Sequence, residues 1–190
     1  DLKALTGTSH KKQTNSSGST GSSSKTPQGQ DLVTYAWKVL ARLLVFPVPT
    51  ITVFNGHAFG LGLFLGLACD HRLMIDPQSR KAFLCLPEIS IGLPLGSGFA
   101  ALAKCKMNPS ALRTSALTGK QWTATEALKQ GIIDAIIPAT CITEDNMLTK
   151  EVLEFAETLV PTSKKGNLSK IKMELYHEAY HVLAQRNSKL

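Results

Sequence analysis

A glycine-rich run between an apolar strand and an apolar helix is the feature that most constrains this chain. Residues 48–54 are apolar and β-branched, which predicts a buried strand, and the run Asn55-Gly56-His57-Ala58-Phe59-Gly60-Leu61-Gly62 leads from it into a helix over residues 60–69. The first N–H groups of a helix have no partner inside the helix and lie at its positive end. The junction can therefore hold a phosphate or an oxyanion that develops during a reaction.

A single carboxylate follows a second apolar segment. Leu86-Pro87-Glu88 comes at the end of a predicted strand over residues 81–86, and its apolar surroundings should raise the pKa of Glu88; they are Phe83, Leu84, Leu86, Ile89 and Ile91. An oxyanion donor beside one acid/base group indicates proton chemistry next to a carbonyl. The alternatives are a solvated carboxylate at a strand end and glycines that only allow close helix packing, which would explain Gly66 and Gly62.

Length and charge narrow the class of protein. The chain has 190 residues, which is enough for one domain with a core, and its net charge is +7. The basic excess lies in residues 1–30 and 164–190, while residues 31–163 carry eleven basic and eleven acidic side chains. No basic face with readout elements is visible, so we do not expect nucleic-acid binding. The longest apolar stretch, residues 58–69, is too short to span a bilayer, and no signal peptide is visible.

The remaining chain alternates between strand and helix patterns, which predicts a mixed α/β fold. Polar residues 7–30 predict a flexible loop. A helix should begin at Asp31, with an apolar stripe of Leu32, Tyr35, Ala36, Val39, Leu40 and Leu43. The strand over 71–75 should pair with that over 81–86 across a turn at 76–79. Thr123 and Glu126 form a capping-box pattern. Further elements are predicted as helices over 99–104, 109–117, 143–159 and 169–185 and a strand over 132–137.

These blocks resemble the crotonase superfamily, whose members are enoyl-CoA hydratases and isomerases. The resemblance is carried by residues 55–70, by Leu86-Pro87-Glu88 and by the segment 115–134, so it covers roughly residues 31–140. It implies a spiral of ββα units with C-terminal helices. Residues 1–5 look like a family block that supplies an oxyanion donor, so we expect the chain to begin inside that block and to lack the first strands.

The resemblance assigns roles to individual residues. Two backbone N–H groups hold the thioester oxygen of an acyl-CoA in such enzymes, and one falls at Leu61 here. Glu88 matches the acid that moves a proton, whereas the second acid of the hydratases falls at Phe64. One carboxylate favours a 3,2-enoyl-CoA isomerase of the peroxisomal kind over a hydratase. Substrate contacts are expected at Lys3, Ala58, Gly60 and Phe64. No cofactor is expected, since coenzyme A is part of the substrate.

The resemblance and the last three residues of the chain also predict its domain organisation, cellular location and partners. Residues 1–140 should form a partial crotonase-like core, and 141–190 a helical region for assembly into a trimer or hexamer. Ser188-Lys189-Leu190 reads as an address for the peroxisomal import receptor, which suits β-oxidation of fatty acids. The four cysteines, with no C-x-x-C pair, should be buried reduced thiols; they are Cys69, Cys85, Cys105 and Cys141.

Three other readings remain open. A truncated chain could bind acyl-CoA or dock onto other subunits without turning substrate over. Gly60-x-Gly62-x-x-x-Gly66 is similar to a dinucleotide-binding motif, but its third glycine is one residue late. His177-Glu178-Ala179-Tyr180-His181 matches the H-E-x-x-H zinc motif, yet the nine residues after it hold no His, Asp or Glu as third ligand. We expect a solvated helix face and no metal there.

Overall fold

In the computed structural model the described residues are 29–78, 80–138, 140, 150–164 and 166–185. Lys3, the loop predicted over 7–30, Cys141 and Ser188-Lys189-Leu190 lie outside them, apart from the last two loop residues. The elements, in chain order, are α1 (Gly29–Leu44), β1 (Ile51–Phe54), β2 (Ala58–Phe59), α2 (Leu61–Ala68), β3 (His71–Ile75), β4 (Leu84–Cys85), a 3-10 helix (Glu88–Ile91), α3 (Ser97–Lys106), α4 (Pro109–Thr118), α5 (Ala124–Lys129), β5 (Ala135–Ile137), α6 (Lys150–Ser163), α7 (Leu168–Leu175) and α8 (His177–Ala184).

All strand pairs between these elements are parallel. One sheet has the order β1-β3-β5, with Val53 beside Leu73 and Leu73 beside Ala135. The second is the short pair β2-β4. The predicted pairing of residues 81–86 with 71–75 is therefore wrong. Strand β3 already has β1 on one edge and β5 on the other, so β4 runs beside β2 instead.

One large core lies between the sheets and the helices. Its largest fully buried side chains come from α1, α2, β3, β4 and α3 and from the segments after β4 and before β5; they are Leu40, Leu44, Leu63, Phe64, Leu67, Met74, Ile75, Leu84, Leu86, Leu102, Ile132 and Ile133. Helix α1 packs against the core through Trp37, Leu40, Ala41 and Leu44. The predicted stripe of α1 is wrong in part, because Leu32, Tyr35 and Val39 are exposed.

The C-terminal third differs from the expected pair of long helices. The predicted helix over 169–185 is two helices, α7 and α8, with a break at Tyr176, whose hydroxyl accepts a hydrogen bond from Lys106 Nζ at 3.2 Å. Helix α8 packs on α1 and α3 of its own chain and buries Ala179 and Leu183. This face is therefore occupied within the chain. The predicted helix over 143–159 appears as α6, which begins at Lys150 and ends at Ser163.

The structure tests the predicted capping box and the predicted burial of the cysteines. The Thr123–Glu126 capping box is present in both directions, so α5 begins as predicted. Cys69 and Cys85 are buried free thiols, whereas Cys105 is free but exposed, which corrects its predicted burial. None of the described helices is long and apolar enough to cross a membrane.

Gly66 allows α2 to lie close to β1. A Cβ atom on Gly66 would stand 2.2 Å from Phe54 Cζ, whereas one on Gly62 would meet only Ala58 Cβ, at 3.9 Å. The packing interpretation therefore holds for Gly66 and is wrong for Gly62. We expect Gly66→Ala to lower the free energy of unfolding by about 1–3 kcal/mol through overpacking. Gly62→Ala should leave it unchanged or raise it, since alanine favours a helix interior. Urea denaturation of both variants checks this, and equal stability of the two would contradict it.

Candidate active site

The glycine junction, residues 55–62, and the loop that carries Glu88 meet at the carboxyl ends of β2 and β4. This loop, residues 86–96, is called the Glu88 loop. The two strands run in parallel with Ala58 beside Leu84 and Phe59 beside Cys85, and the Gly60 N–H donates to the Cys85 carbonyl at 3.0 Å. Both segments leave the strand pair at the same edge of the sheet. Gly60 then forms the N-cap of α2, and Leu86-Pro87 leads into the 3-10 helix that begins at Glu88.

The Glu88 carboxyl group lies against Gly60. Its Oε1 atom is 3.6 Å from the position that a Cβ atom on Gly60 would take, and Gly60 has φ +52°, where L side chains are strained. A glycine is thus required by conformation, and its missing side chain leaves the carboxylate close to the backbone. The structure thus places the Glu88 carboxyl group beside the glycine turn at Gly60.

The start of α2 offers backbone donors at this place. The Gly60 carbonyl accepts hydrogen bonds from the Leu63 and Phe64 N–H groups at 3.0 and 3.1 Å. Leu61 and Gly62 precede them at the first two helical positions, where an N–H has no acceptor inside the helix. Neither residue is buried. The Leu61 N–H can therefore donate to a negatively charged oxygen beside Glu88.

Burial raises the pKa of Glu88 above its ordinary value, and a hydrogen bond from its own backbone N–H opposes the shift. Among the described residues, only two buried side-chain polar atoms have no hydrogen-bond partner, and Glu88 Oε2 is one of them. Of the apolar residues near Glu88 in the sequence, Leu84 and Leu86 are fully buried, whereas Ile89 and Ile91 are exposed. A partly desolvated carboxylate with one oxygen free of hydrogen bonds is suited to take up and return a proton.

The other predicted contacts differ in their placement. Ala58 is buried in β2, two residues before Gly60. Phe64 has no exposed surface, and its ring stacks on Phe99 with the ring centres 4.5 Å apart. At this position a carboxylate would be shut off from water. Phe64 therefore supplies no second acid and leaves no room for one.

Two aromatic residues of the site were missed in the sequence. Phe99, in the first turn of α3, stacks on Phe64, and Trp37 of α1 contacts Phe99 edge-on with ring centres 5.9 Å apart. Trp37 Nε1 is the other buried polar atom without a partner among the described residues. Gly98 makes room for the Trp37 ring, since a Cβ atom there would stand 2.6 Å from it. A glycine at the start of a helix was the sequence feature that could have indicated such close packing.

The zinc alternative has no support in the geometry. His177 and His181 lie one turn apart on α8 with ring centres 4.2 Å apart, and both are exposed. No group of three or more His, Cys, Asp or Glu side chains that could hold a metal ion occurs within the described ranges. A structural zinc site normally needs four ligands and a catalytic one three.

Comparison with known proteins agrees with the fold. Residues 15–187 match the family described as enoyl-CoA hydratase/isomerase. A protein from Mycobacterium tuberculosis named a probable enoyl-CoA hydratase is 21% identical with a TM-score of 0.68, over 82% of this chain and 61% of that one. A hydratase/isomerase family protein from Pseudomonas syringae is 22% identical with a TM-score of 0.70, over 96% of this chain and 68% of that one.

A second structure of the same Mycobacterium tuberculosis protein, there named an enoyl-CoA isomerase, is 21% identical with a TM-score of 0.63, over 81% of this chain and 65% of that one. These similarities confirm the predicted crotonase-like α/β fold. The chain spans 61% of the first of these structures, and the two structures of the Mycobacterium tuberculosis protein are named after different reactions, hydration and isomerisation.

Proposed function

Since the chain belongs to the enoyl-CoA hydratase/isomerase family, we propose that it moves the double bond of a 3-enoyl-CoA to give the 2-trans-enoyl-CoA. The proposal is carried by one observation. A single carboxylate, Glu88, lies beside the Gly60 backbone at the start of α2, while the place of a second acid is filled by the buried ring of Phe64.

The proposed mechanism uses one base and main-chain donors. The Leu61 N–H, with a second donor from outside the described residues, would hold the thioester oxygen and stabilise negative charge on it. Glu88 removes a proton from C2, and the electrons spread over a dienolate. The same carboxyl group then returns the proton to C4. One C–H bond breaks and one forms, the double bond moves from C3–C4 to C2–C3, and Glu88 ends as it began.

Hydration is the less favoured reaction on physical grounds. Adding water across a double bond needs one group to activate the water and one to deliver a proton. A phenylalanine can do neither, and Phe64 is stacked and fully buried. A hydratase would therefore have to run both steps on Glu88 without a positioned water.

The direct test compares the two reactions on the same purified protein. We expect 3-enoyl-CoA to be converted to 2-enoyl-CoA, and 2-enoyl-CoA to gain water at a rate at least about a hundredfold lower, the usual contribution of one acid/base group. Product identity is read by mass, since hydration adds water and isomerisation does not. Faster hydration than isomerisation would contradict the proposal. Acyl-CoA binding without turnover by the 190-residue chain would favour the alternative of a binding or docking chain.

The pH dependence of the reaction should reveal the buried carboxylate. Glu88 acts as a base only when ionised, and burial raises its pKa from the ordinary value of 4.5. As the pH falls through that raised pKa, kcat/KM should fall because the protonated form cannot accept the C2 proton. The acid limb of the kcat/KM profile should thus lie above pH 4.5. A limb at or below that pH would show that Glu88 is fully solvated or is not the base.

Cellular context forms part of the same proposal. At a free carboxyl terminus, Ser188-Lys189-Leu190 would be recognised by the peroxisomal import receptor. In the peroxisome, an isomerase of this kind would serve β-oxidation of unsaturated fatty acids. Assembly into a trimer or hexamer is proposed as well. It is supported by exposed apolar side chains on α7, Ile171 and Leu175, of which Leu175 is 68% exposed.

A further inference from the structure

We propose that Phe99 and Trp37 are positioning residues. They hold α2, which carries the Leu61 N–H donor, and the Glu88 loop at a fixed separation. The inference rests on the proposed isomerase function and adds residues that no family motif above includes. The two side chains form, with Phe64, an aromatic ladder of three rings that joins the two halves of the site.

One end of the aromatic ladder stands on the helix that supplies the N–H donor. Phe64 lies one turn after Gly60 in α2, and its own N–H donates to the Gly60 carbonyl at 3.1 Å. The Phe64 and Phe99 rings stack with an interplanar angle of 27°, so a shift of Phe99 must move Phe64 or open a gap in the core. The position of α2 is thus tied to the first turn of α3.

The other end fixes the segment that begins with Glu88. The Leu93 N–H donates to the Glu88 carbonyl at 3.0 Å, and the chain then runs through Gly92–Gly98 into α3. The Trp37 ring packs against the end of this segment and the first turn of α3, so close that a Cβ atom on Gly98 would stand 2.6 Å from it and one on Gly96 3.5 Å. Trp37 is 4% exposed and anchored in α1, so it prevents the end of the Glu88 loop from moving inward.

A base must stand at a set distance from the oxygen whose charge it creates. Misplacing a catalytic group by about 1 Å can lower a rate about a hundredfold. Backbone hydrogen bonds between β2 and β4 set the start of the Glu88 loop, and the 3-10 helix sets the turn that follows, where the Ser90 and Ile91 N–H groups donate to the Pro87 carbonyl at 2.9 and 3.2 Å. The aromatic ladder constrains the far end of the loop, because a Cβ atom on Gly96 would stand 3.5 Å from the Trp37 ring. A gap in the aromatic ladder would loosen the start of α2, against which the Glu88 carboxyl group lies, and a looser contact there would admit water to the carboxyl group.

The test replaces Phe99 and measures a split between kcat and KM. We expect Phe99→Leu to lower kcat for 3-enoyl-CoA by about ten- to a hundredfold with KM changed less than threefold. The acid limb of its kcat/KM profile should move to lower pH, because water reaching Glu88 reduces the desolvation that raises its pKa. Phe99→Tyr keeps the ring, so its kcat and profile should remain close to those of the wild type.

Phe155→Leu is the matched control. Phe155 is also partly buried and contacts one aromatic ring edge-on, His71 at 5.7 Å, but it lies on α6 in a separate small cluster. We expect this variant to lose thermal stability with kcat and the pH profile unchanged. Should Phe99→Leu fail to fold, Phe99→Met, which is flexible but of similar volume, replaces it with the same expectation.

Failure of this inference and failure of the proposed function give different results. If the wild type does not isomerise 3-enoyl-CoA, the function is wrong and the aromatic ladder has no base to position. If the wild type is active but the Phe99 variants keep full kcat and an unmoved acid limb, the positioning role is wrong. Equal loss of kcat in Phe99→Leu and Phe155→Leu would also overturn it, because the effect would then come from general loosening of the fold.

Discussion

Glu88→Gln should abolish isomerisation of 3-enoyl-CoA in the intact protein and leave the binding of CoA esters largely unchanged. Both proton steps of the proposed reaction pass through this one side chain. Loss of a general acid/base group costs about 10²–10⁴-fold in rate, and because both steps are affected we expect kcat to fall toward the upper end of that range. Steady-state kinetics measures kcat, and calorimetry with a saturated acyl-CoA measures binding.

The variant should fold normally, which makes the result interpretable. Glutamine has the shape of glutamate without its charge, and burial of that charge is unfavourable, as the raised pKa of Glu88 shows. The melting temperature should therefore not fall. Glu174→Gln, which changes an exposed carboxylate on α7, is the control and should retain full activity. Unchanged turnover in Glu88→Gln would remove Glu88 from the mechanism.

Lys172→Ala should give the largest loss of stability among single substitutions of charged residues in the described ranges. The ammonium group is 4% exposed and donates to Asp70 Oδ2 at 2.5 Å, to the Phe46 carbonyl at 2.9 Å and to the Val48 carbonyl at 3.1 Å. These bonds join α7 to the end of α2 and to the chain entering β1. Removing the cation leaves a mostly buried carboxylate without its partner, which costs about 3–5 kcal/mol.

The neighbouring Lys170 is the control for this prediction. It is exposed on the same helix, and substitutions at such positions change stability by about 0.5 kcal/mol or less. In urea denaturation, Lys172→Ala should therefore unfold at a clearly lower urea concentration than Lys170→Ala. The dependence of the unfolding free energy on urea concentration should be the same for both variants. If the two variants unfolded at the same denaturant concentration, the buried ion pair would not be stabilising the docking of α7.

Local sequence signals were sufficient wherever one feature of the chain decided the structure. The glycine run predicted the start of α2, since only a glycine adopts the backbone conformation found at Gly60 without strain. The Thr123–Glu126 pair predicted the start of α5 for the same kind of reason, because its hydrogen bonds are local. The proximity of Glu88 to Gly60 followed from the family resemblance, which carries information about strand pairing that spacing does not.

What was missed depended on contacts between distant parts of the chain. The turn at 76–79 suggested a hairpin, but the free edges of β3 are taken by β1 and β5, which no local pattern reveals. Lys172 is buried in α7 beside Asp70, and no local pattern indicates this pairing, because Asp70 stands 102 positions earlier in the chain. The aromatic ladder likewise brings together three helices. Such contacts arise only in the folded chain.

The most direct test of the central claim follows one hydrogen atom. A 3-enoyl-CoA carrying deuterium at C2 is converted under single-turnover conditions in ordinary water, and the product is analysed for deuterium at C4. One carboxyl group that removes and returns the same proton predicts that a substantial fraction of the deuterium appears at C4, and that Glu88→Gln forms no such product. If C4 acquired hydrogen from the solvent alone, Glu88 would not be the single carrier and the account would be contradicted.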